Sequence, residues 1–193
     1  MRITGGRARG IPITLPSRGE IRPATDYIRE AVFNSLGPLV DGARVLDLFA
    51  GTGAYGLESL SRGATQAVLV DKNPAAAAVQ KKNAAAVAKS LGLADAPVLI
   101  INDDATRWAP APGMMPFDIV FADPPWVLWE TAASEIVPRL ASWLDEGDHV
   151  RLVLESPGKF EPPIPPGWRL HRRLAKGKDQ PAAAILRRDK PPA

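Results

Sequence analysis

Apolar and polar positions along the chain switch between two spacings, and the switches mark strands and helices in turn. Residues 44–49, 66–70, 98–101 and 117–122 are short, nearly unbroken apolar runs, the pattern of strands buried on both faces. Between them the spacing lengthens. Ile28, Val32 and Leu36 recur at helical intervals in a segment that Thr25 or Asp26 can cap and Gly37-Pro38 ends. A helix is expected after the glycine-rich turn to about Arg62, an alanine-rich one from Pro74 to about Leu91, and another over roughly residues 129–144. Residues 150–154 read as a fifth strand, and residues 168–170 with 183–186 as a closing pair. Two short β-like runs, 2–4 and 11–15, around Gly5-Gly6 and Gly10 predict an N-terminal hairpin arm. Strands alternating with helices give an α/β chain with a doubly wound, mostly parallel sheet and an antiparallel end. There is no internal repeat, and residues 189–193 are expected to fray.

Composition narrows the class. At 193 residues and 46% hydrophobic, the chain can fill one core and reads as one domain with a small appendage. No apolar run approaches the ~20 residues needed to cross a bilayer, and no hydrophobic signal segment opens the chain, so a soluble, cytoplasmic protein without membrane contact is expected. The absence of cysteine removes disulfides, thiolate metal sites and any Cys nucleophile, including the covalent route to methylating a pyrimidine carbon. His149 and His171 have no metal-ligating neighbours in sequence, so no metal is expected. The net charge of +3 is unevenly spread: residues 1–29 carry +4, residues 30–158 carry −7 and residues 159–193 carry +6. Basic ends around an acidic middle suit a chain that tracks a phosphate backbone, although scattered Lys and Arg also serve solubility.

Two motifs carry chemistry. The run 117–122 leads straight into Asp123-Pro124-Pro125-Trp126. An exocyclic amine of a nucleobase has its lone pair delocalised into the ring, so it attacks a methyl donor only when acceptors engage its N–H groups and favour the pyramidal transition-state geometry. Asp123 can accept one such bond and the Pro124 carbonyl the other, since Pro125 brings no N–H to compete. Trp126 would stack on the ring, a contact worth about 1–3 kcal/mol. The plainer reading is a strand end closed by a Pro-rich turn, with Trp126 filling core.

The second motif follows the first strand. Gly51, Gly53 and Gly56 satisfy G-x-G-x-x-G, with Asp71 twenty positions after Gly51. A nicotinamide dinucleotide and S-adenosylmethionine both lay an adenosine across such a turn and both use an acid at the end of the second strand, so the fingerprint alone leaves both open. Asp47, just before the glycines, favours the second, because its carboxylate repels a pyrophosphate and attracts an ammonium. Asp103-Asp104-Ala105 follows the third strand, where a carboxylate can accept from the adenine amine. No Tyr and Lys one helical turn apart stand ready for hydride chemistry.

Together with Asp47-Leu48-Phe49-Ala50-Gly51-Thr52-Gly53 and Asp71, the tetrapeptide resembles that of the class I methyltransferases with an N/D-P-P-aromatic motif. The segment 22–34, RPATDYIREAVFN, is similar to the R-P-T-T-D-x-x-R-E-A-L-F-N signature of the bacterial 16S rRNA guanine-N2 methyltransferase family, and the likeness spans nearly the whole chain. Ala24 stands where that family usually has Thr, and Trp126 where Tyr or Phe is commoner, as in adenine-N6 enzymes.

The resemblance implies a seven-stranded Rossmann-like domain over residues 22–189 preceded by a β-hairpin arm over 1–21. It implies methyl transfer from S-adenosylmethionine to the exocyclic N2 of a guanine in 16S rRNA of the small ribosomal subunit; a monomer is expected. It places Asp123, Pro124, Pro125 and Trp126 at the reacting amine, and Asp47, Phe49, Ala50, Gly51, Gly53, Asp71, Lys72, Asp104 and Ala105 at the cofactor. Arg7, Arg9, Arg22, Arg29, Lys176 and Lys178 are the expected RNA contacts, and Arg22, Thr25, Asp26 and Arg29 are expected beside the active site. The competing readings are an adenine-N6 methyltransferase, a nicotinamide oxidoreductase and a catalytically silent RNA-binding assembly factor.

Overall fold

The computed structural model describes residues 1–16, 26–114, 116–175, 177 and 180–189. Seven strands, β1 (Arg44–Leu48), β2 (Gln66–Val70), β3 (Val98–Ile101), β4 (Ile119–Ala122), β5 (Arg151–Pro157), β6 (Trp168–Ala175) and β7 (Pro181–Arg188), join in one sheet of order β3-β2-β1-β4-β5-β7-β6. Strands β1 to β5 pair in parallel, while β7 is antiparallel to both neighbours, so a single reversed strand stands between β5 and the edge strand β6. This is the doubly wound, class I methyltransferase arrangement. The strand order reverses direction between β1 and β4, the switch point at which open α/β sheets form a crevice outside the strands' carboxyl ends.

Local signals set the helices. In α3 (Pro74–Leu91) the Asn73 side chain accepts from the Ala75 N–H at 2.9 Å and Pro74 opens the first turn, while Gly92, at φ +71°, supplies the left-handed residue that ends the helix. Helix α1 (Asp26–Leu36) runs into a 3₁₀ turn, Gly37–Val40. Helix α2 (Ala54–Ser61) follows the glycine turn. Helix α4 (Trp126–Ala141) begins three residues before the expected start, with Pro125 as its N-cap. A proline lacks only a donor that the first turn leaves unpaired anyway, so the Pro-Pro pair starts the helix rather than delaying it.

The sheet separates two cores. On one face Val45, Leu69, Ile119, Phe121 and Val153 pack against α1, α2 and α3; on the other Leu46, Val68, Val120, Leu152 and Leu154 pack against α4 with Trp108, Trp143 and Trp168. The N-terminal arm belongs to the first core. Ile3 and Ala8 are fully buried there, and the arm closes through Ile3 N–H to the Ile11 carbonyl at 2.9 Å and Ile13 N–H to the Met1 carbonyl at 3.1 Å. Its turn docks on the last residue of α2: the Ser61 carbonyl accepts from Arg7 N–H at 2.7 Å and its hydroxyl donates to the Gly5 carbonyl at 2.7 Å. Gly6, at φ +76°, is required at that turn, since a Cβ would lie 2.1 Å from the Ser61 carbonyl oxygen. Among the described residues no helix is long and apolar enough to cross a membrane.

Candidate active site

One cavity of about 780 Å³ opens at the carboxyl ends of β1, β2, β4 and β5. The glycine turn forms one wall with Phe49, Ala50, Gly51 and Thr52; Asp71, Lys72 and Asn73 beyond β2 and Asp104, Ala105 and Thr106 beyond β3 form the next. Asp123, Pro124, Pro125 and Trp126 face them from the end of β4, and Asp47, Tyr55 and Glu155 also line the cavity. The two motifs, 70 residues apart in sequence, therefore share one crevice, because β1 and β4 are direct neighbours with Leu48 paired to Ala122.

Backbone conformation shapes the turn. Phe49 has φ +58°, the one non-glycine residue in the left-handed region among those described, and it turns the chain sharply out of β1. Gly53, at φ +77°, and Gly56 serve packing: a Cβ would meet Leu69 Cδ1 at 2.8 Å from the first and Leu69 Cδ2 at 2.2 Å from the second. These two glycines let α2 close onto β2. Gly51 gives its N–H to Asp71 Oδ2 at 2.8 Å, and its carbonyl accepts from Gln80 Nε2 at 3.0 Å. Asn83 ties the turn to the arm, donating to the Thr52 carbonyl at 3.0 Å and accepting from Thr14 N–H at 2.8 Å.

The acids have distinct surroundings. Asp47 is buried, its Oδ2 accepting from Gly56 N–H at 2.9 Å, and burial pushes its carboxyl up to about 8 despite that bond. Asp71 holds backbone on both oxygens, Gly51 N–H on one and Asn73 N–H on the other at 2.8 Å each. Asp104 Oδ1 accepts from the backbone N–H and the hydroxyl of Thr106, bonds that hold its carboxyl below the usual range. Tyr55 donates to Glu155 Oε2 at 2.8 Å; burial raises both, Glu155 to about 7 and Tyr55 well above a phenol's ordinary value. Pro124 is buried, whereas Asp123 and Trp126 are half-buried, the latter in the first turn of α4.

The cavity thus gathers the residues expected at the amine and most of those expected at the cofactor; Gly53 sits just behind the turn, against Leu69. The expected RNA contacts divide. Arg29 is fully buried: its Nε donates to Glu58 Oε2 and its Nη2 to Asp26 Oδ1, each at 2.8 Å, and it also reaches the Arg2 carbonyl. Burial tends to lower its pKa, but the two carboxylates more than offset this and leave it raised. A guanidinium so enclosed cannot touch phosphate, which corrects the expectation for Arg29. Arg7 and Arg9 lie on the arm's turn at the foot of α2 and α3, where Arg7 Nη2 donates to the Leu91 carbonyl at 3.1 Å, at the opposite end of the sheet from the cavity. Arg22, Thr25, Lys176 and Lys178 lie outside the described residues. His149 Nε2 sits 3.0 Å from Asp118 Oδ1 and 4.0 Å from Asp145 Oδ2, so the fold adds Asp118 to a pair only four residues apart in sequence.

Sequence reasoning overlooked Tyr55, Glu155, Gln80 and Asn83. An acid following Leu152-Val153-Leu154 in an apolar strand was the available signal for Glu155. The polar residues on α3 carried none, because what they bind is backbone brought near by folding.

Comparison with known proteins agrees with this geometry. The model of the family described as conserved hypothetical protein 95 matches residues 1–184. Ribosomal RNA small subunit methyltransferase D of Escherichia coli (strain K12) is 34% identical over 179 residues, covering 92% of this chain and 86% of the relative. The solved structure of yhhF from Escherichia coli, described as a candidate methyltransferase, superposes with a TM-score of 0.79 at 32% identity, covering 98% of each chain. A more distant structure, SMU.776, a candidate methyltransferase complexed with SAH, shares the fold at a TM-score of 0.59 and 13% identity over 80% of this chain and 48% of its own. With that sheet, that crevice and these relatives, the chain belongs to the conserved hypothetical protein 95 family of methyltransferases, the family of ribosomal RNA small subunit methyltransferase D.

Proposed function

We propose that this protein transfers a methyl group from S-adenosylmethionine to the exocyclic N2 of a guanine in 16S rRNA, acting as a monomer on the small ribosomal subunit. The observation that carries the reading is the shared cavity, in which the acid-Pro-Pro-aromatic tetrapeptide faces the glycine turn. The name of the Escherichia coli relative supports ribosomal RNA as the substrate.

S-adenosylmethionine, when bound, supplies an electrophilic methyl group. The cavity's volume falls in the range of small-molecule sites, and its chemistry fits that group. The buried Asp47 makes a floor whose carboxyl a bound cation draws into its ionised form, and Asp71 and Asp104 offer carboxylate lone pairs beyond those held by backbone and Thr106. Phe49, Ala50, Gly51, Lys72 and Ala105 complete that wall, with Gly53 shaping the turn behind it. Asp123 and the Pro124 carbonyl accept from the two N–H groups of the guanine amine, and Trp126 stacks on the ring. Their main task is alignment, which is worth roughly 7–11 kcal/mol when reacting atoms are held in line. Swinging a guanine out of its stack costs a few kcal/mol, which stacking on Trp126 offsets in part. The amine's proton leaves after transfer, once the nitrogen has become acidic, so Asp123 need not be a strong base. Arg22, Lys176 and Lys178 remain in this reading as phosphate contacts.

The test is incubation with labelled cofactor and small subunits lacking the modification, followed by mass analysis of the digested nucleosides. N2-methylguanosine is expected. Label in N6-methyladenosine, or none in RNA, would overturn the reading.

A further inference from the structure

Among the acids that line the cavity, Glu155 belongs to neither the glycine turn nor the tetrapeptide after β4. The parallel register pairs Ala122 of β4 with Leu154 of β5, so Asp123 and Glu155 come next on adjacent strands, whose spacing is about 4.8 Å. Glu155 is 5% exposed and firmly held: its Oε2 accepts from the Tyr55 hydroxyl at 2.8 Å and its backbone carbonyl from Trp129 Nε1 at 2.7 Å. Tyr55 is itself fixed by stacking on Phe121, with ring centroids 4.7 Å apart. Among the described residues no second side chain donates to this carboxylate, which leaves Oε1 to a ligand.

We propose that Glu155 accepts the N1–H of the target guanine, while Asp123 and Pro124 hold the N2 amine beside it. Guanine presents two neighbouring donors on this edge, N1–H and N2–H, and two side-by-side carboxylates match them. Adenine presents an acceptor at N1 beside its N6 donor and would set that lone pair against Glu155. The inference rests on the guanine reading above and adds to it the residue that selects the base.

The accepting form is the ionised one. Tyr55 of α2, Arg29 of α1, Asp47 of β1 and Asp123 beyond β4 are the titratable groups around it. Burial raises Glu155 to about 7, while the Tyr55 bond and the Arg29 charge pull it down.

The experiment uses small subunits reconstituted with 2-aminopurine at the methylated position, once mass analysis has located it. That base keeps the N2 amine and lacks N1–H. Wild-type kcat/KM is expected to fall at least about 100-fold on the substituted subunits, because a site built to receive a donor rejects an analogue without one. Glu155→Gln, whose amide can donate to the bare N1, is expected to bring the two bases within about 5-fold of each other while the cofactor Kd stays unchanged. Tyr55→Phe is expected to keep the base preference and move the acid limb of the guanine pH profile to higher pH, since it removes an interaction that lowers the Glu155 pKa. Equal use of both bases by the wild type, a preference that persists in Glu155→Gln, or an unmoved limb in Tyr55→Phe would each overturn the proposal. Absence of N2-methylguanosine on unsubstituted subunits would instead remove the guanine reading beneath it.

Discussion

Asp47 shows how one residue can be read correctly for its place and incompletely for its state. Its position before the glycines marks the cavity floor, but only the fold reveals that it is 3% exposed and fastened to Gly56 N–H. Burial raises its carboxyl to about 8 and that of Glu155 to about 7, so between about pH 4 and pH 8 the native protein holds protons that an unfolded chain releases. The sign follows: this contribution is complete below the unfolded values and is lost as pH rises through the folded ones. Urea unfolding of the protein without cofactor is expected to show stability falling by several kcal/mol from about pH 5 to about pH 8. Asp47→Asn, which keeps an acceptor for Gly56, is expected to remove much of that slope; an unchanged slope would contradict the assignment. Local chemistry made the glycine turn, Asp71 and the Asp123 tetrapeptide legible in sequence. Glu155 and Tyr55 were not, because their meaning arises only when β5 and α2, 100 residues apart, meet across the sheet.

At the scale of elements, legibility followed the strength of the boundary signals. Strands β2 and β3 and helix α3 have the expected limits, since apolar runs, Pro74 and Gly92 bound them sharply. Strand β6 is longer than expected: only Trp168 is buried along WRLHRRLA, so an exposed edge strand shows little hydrophobic pattern. The signature segment holds the larger surprise. Its Arg29 is buried and ties α1 to Glu58 of α2 and to the arm, while Arg62 and the Thr4 hydroxyl complete the shell around Glu58. Breaking a buried pair leaves its partner uncompensated, at a cost of about 3–5 kcal/mol. Arg29→Ala is therefore expected to lower urea stability by about 3 kcal/mol, with Arg62 moderating the loss, and to leave the salt dependence of RNA binding unaltered. Stability held constant with a flatter salt slope would restore Arg29 as a phosphate contact.

Across the whole molecule, the class and topology were readable because alternating strands and helices admit few arrangements, and the reversed strand β7 is the one departure from parallel pairing. Charge segregation was readable too, but its three-dimensional placement was not, and it puts Arg7 at the foot of the sheet away from the cavity. What the topology does place together is a turn suited to the cofactor and a tetrapeptide suited to the base, on neighbouring strands and in one crevice. That division of labour is the central claim. It is tested most directly by measuring cofactor affinity calorimetrically beside the single-turnover methyl-transfer rate in Asp123→Ala, with Asp71→Ala as the mirror case. The account predicts that Asp123→Ala holds the cofactor within about 3-fold of wild type yet transfers at least about 100-fold more slowly, whereas Asp71→Ala loses at least about 10-fold in affinity. A loss of affinity in Asp123→Ala with transfer intact, and the converse in Asp71→Ala, would contradict it.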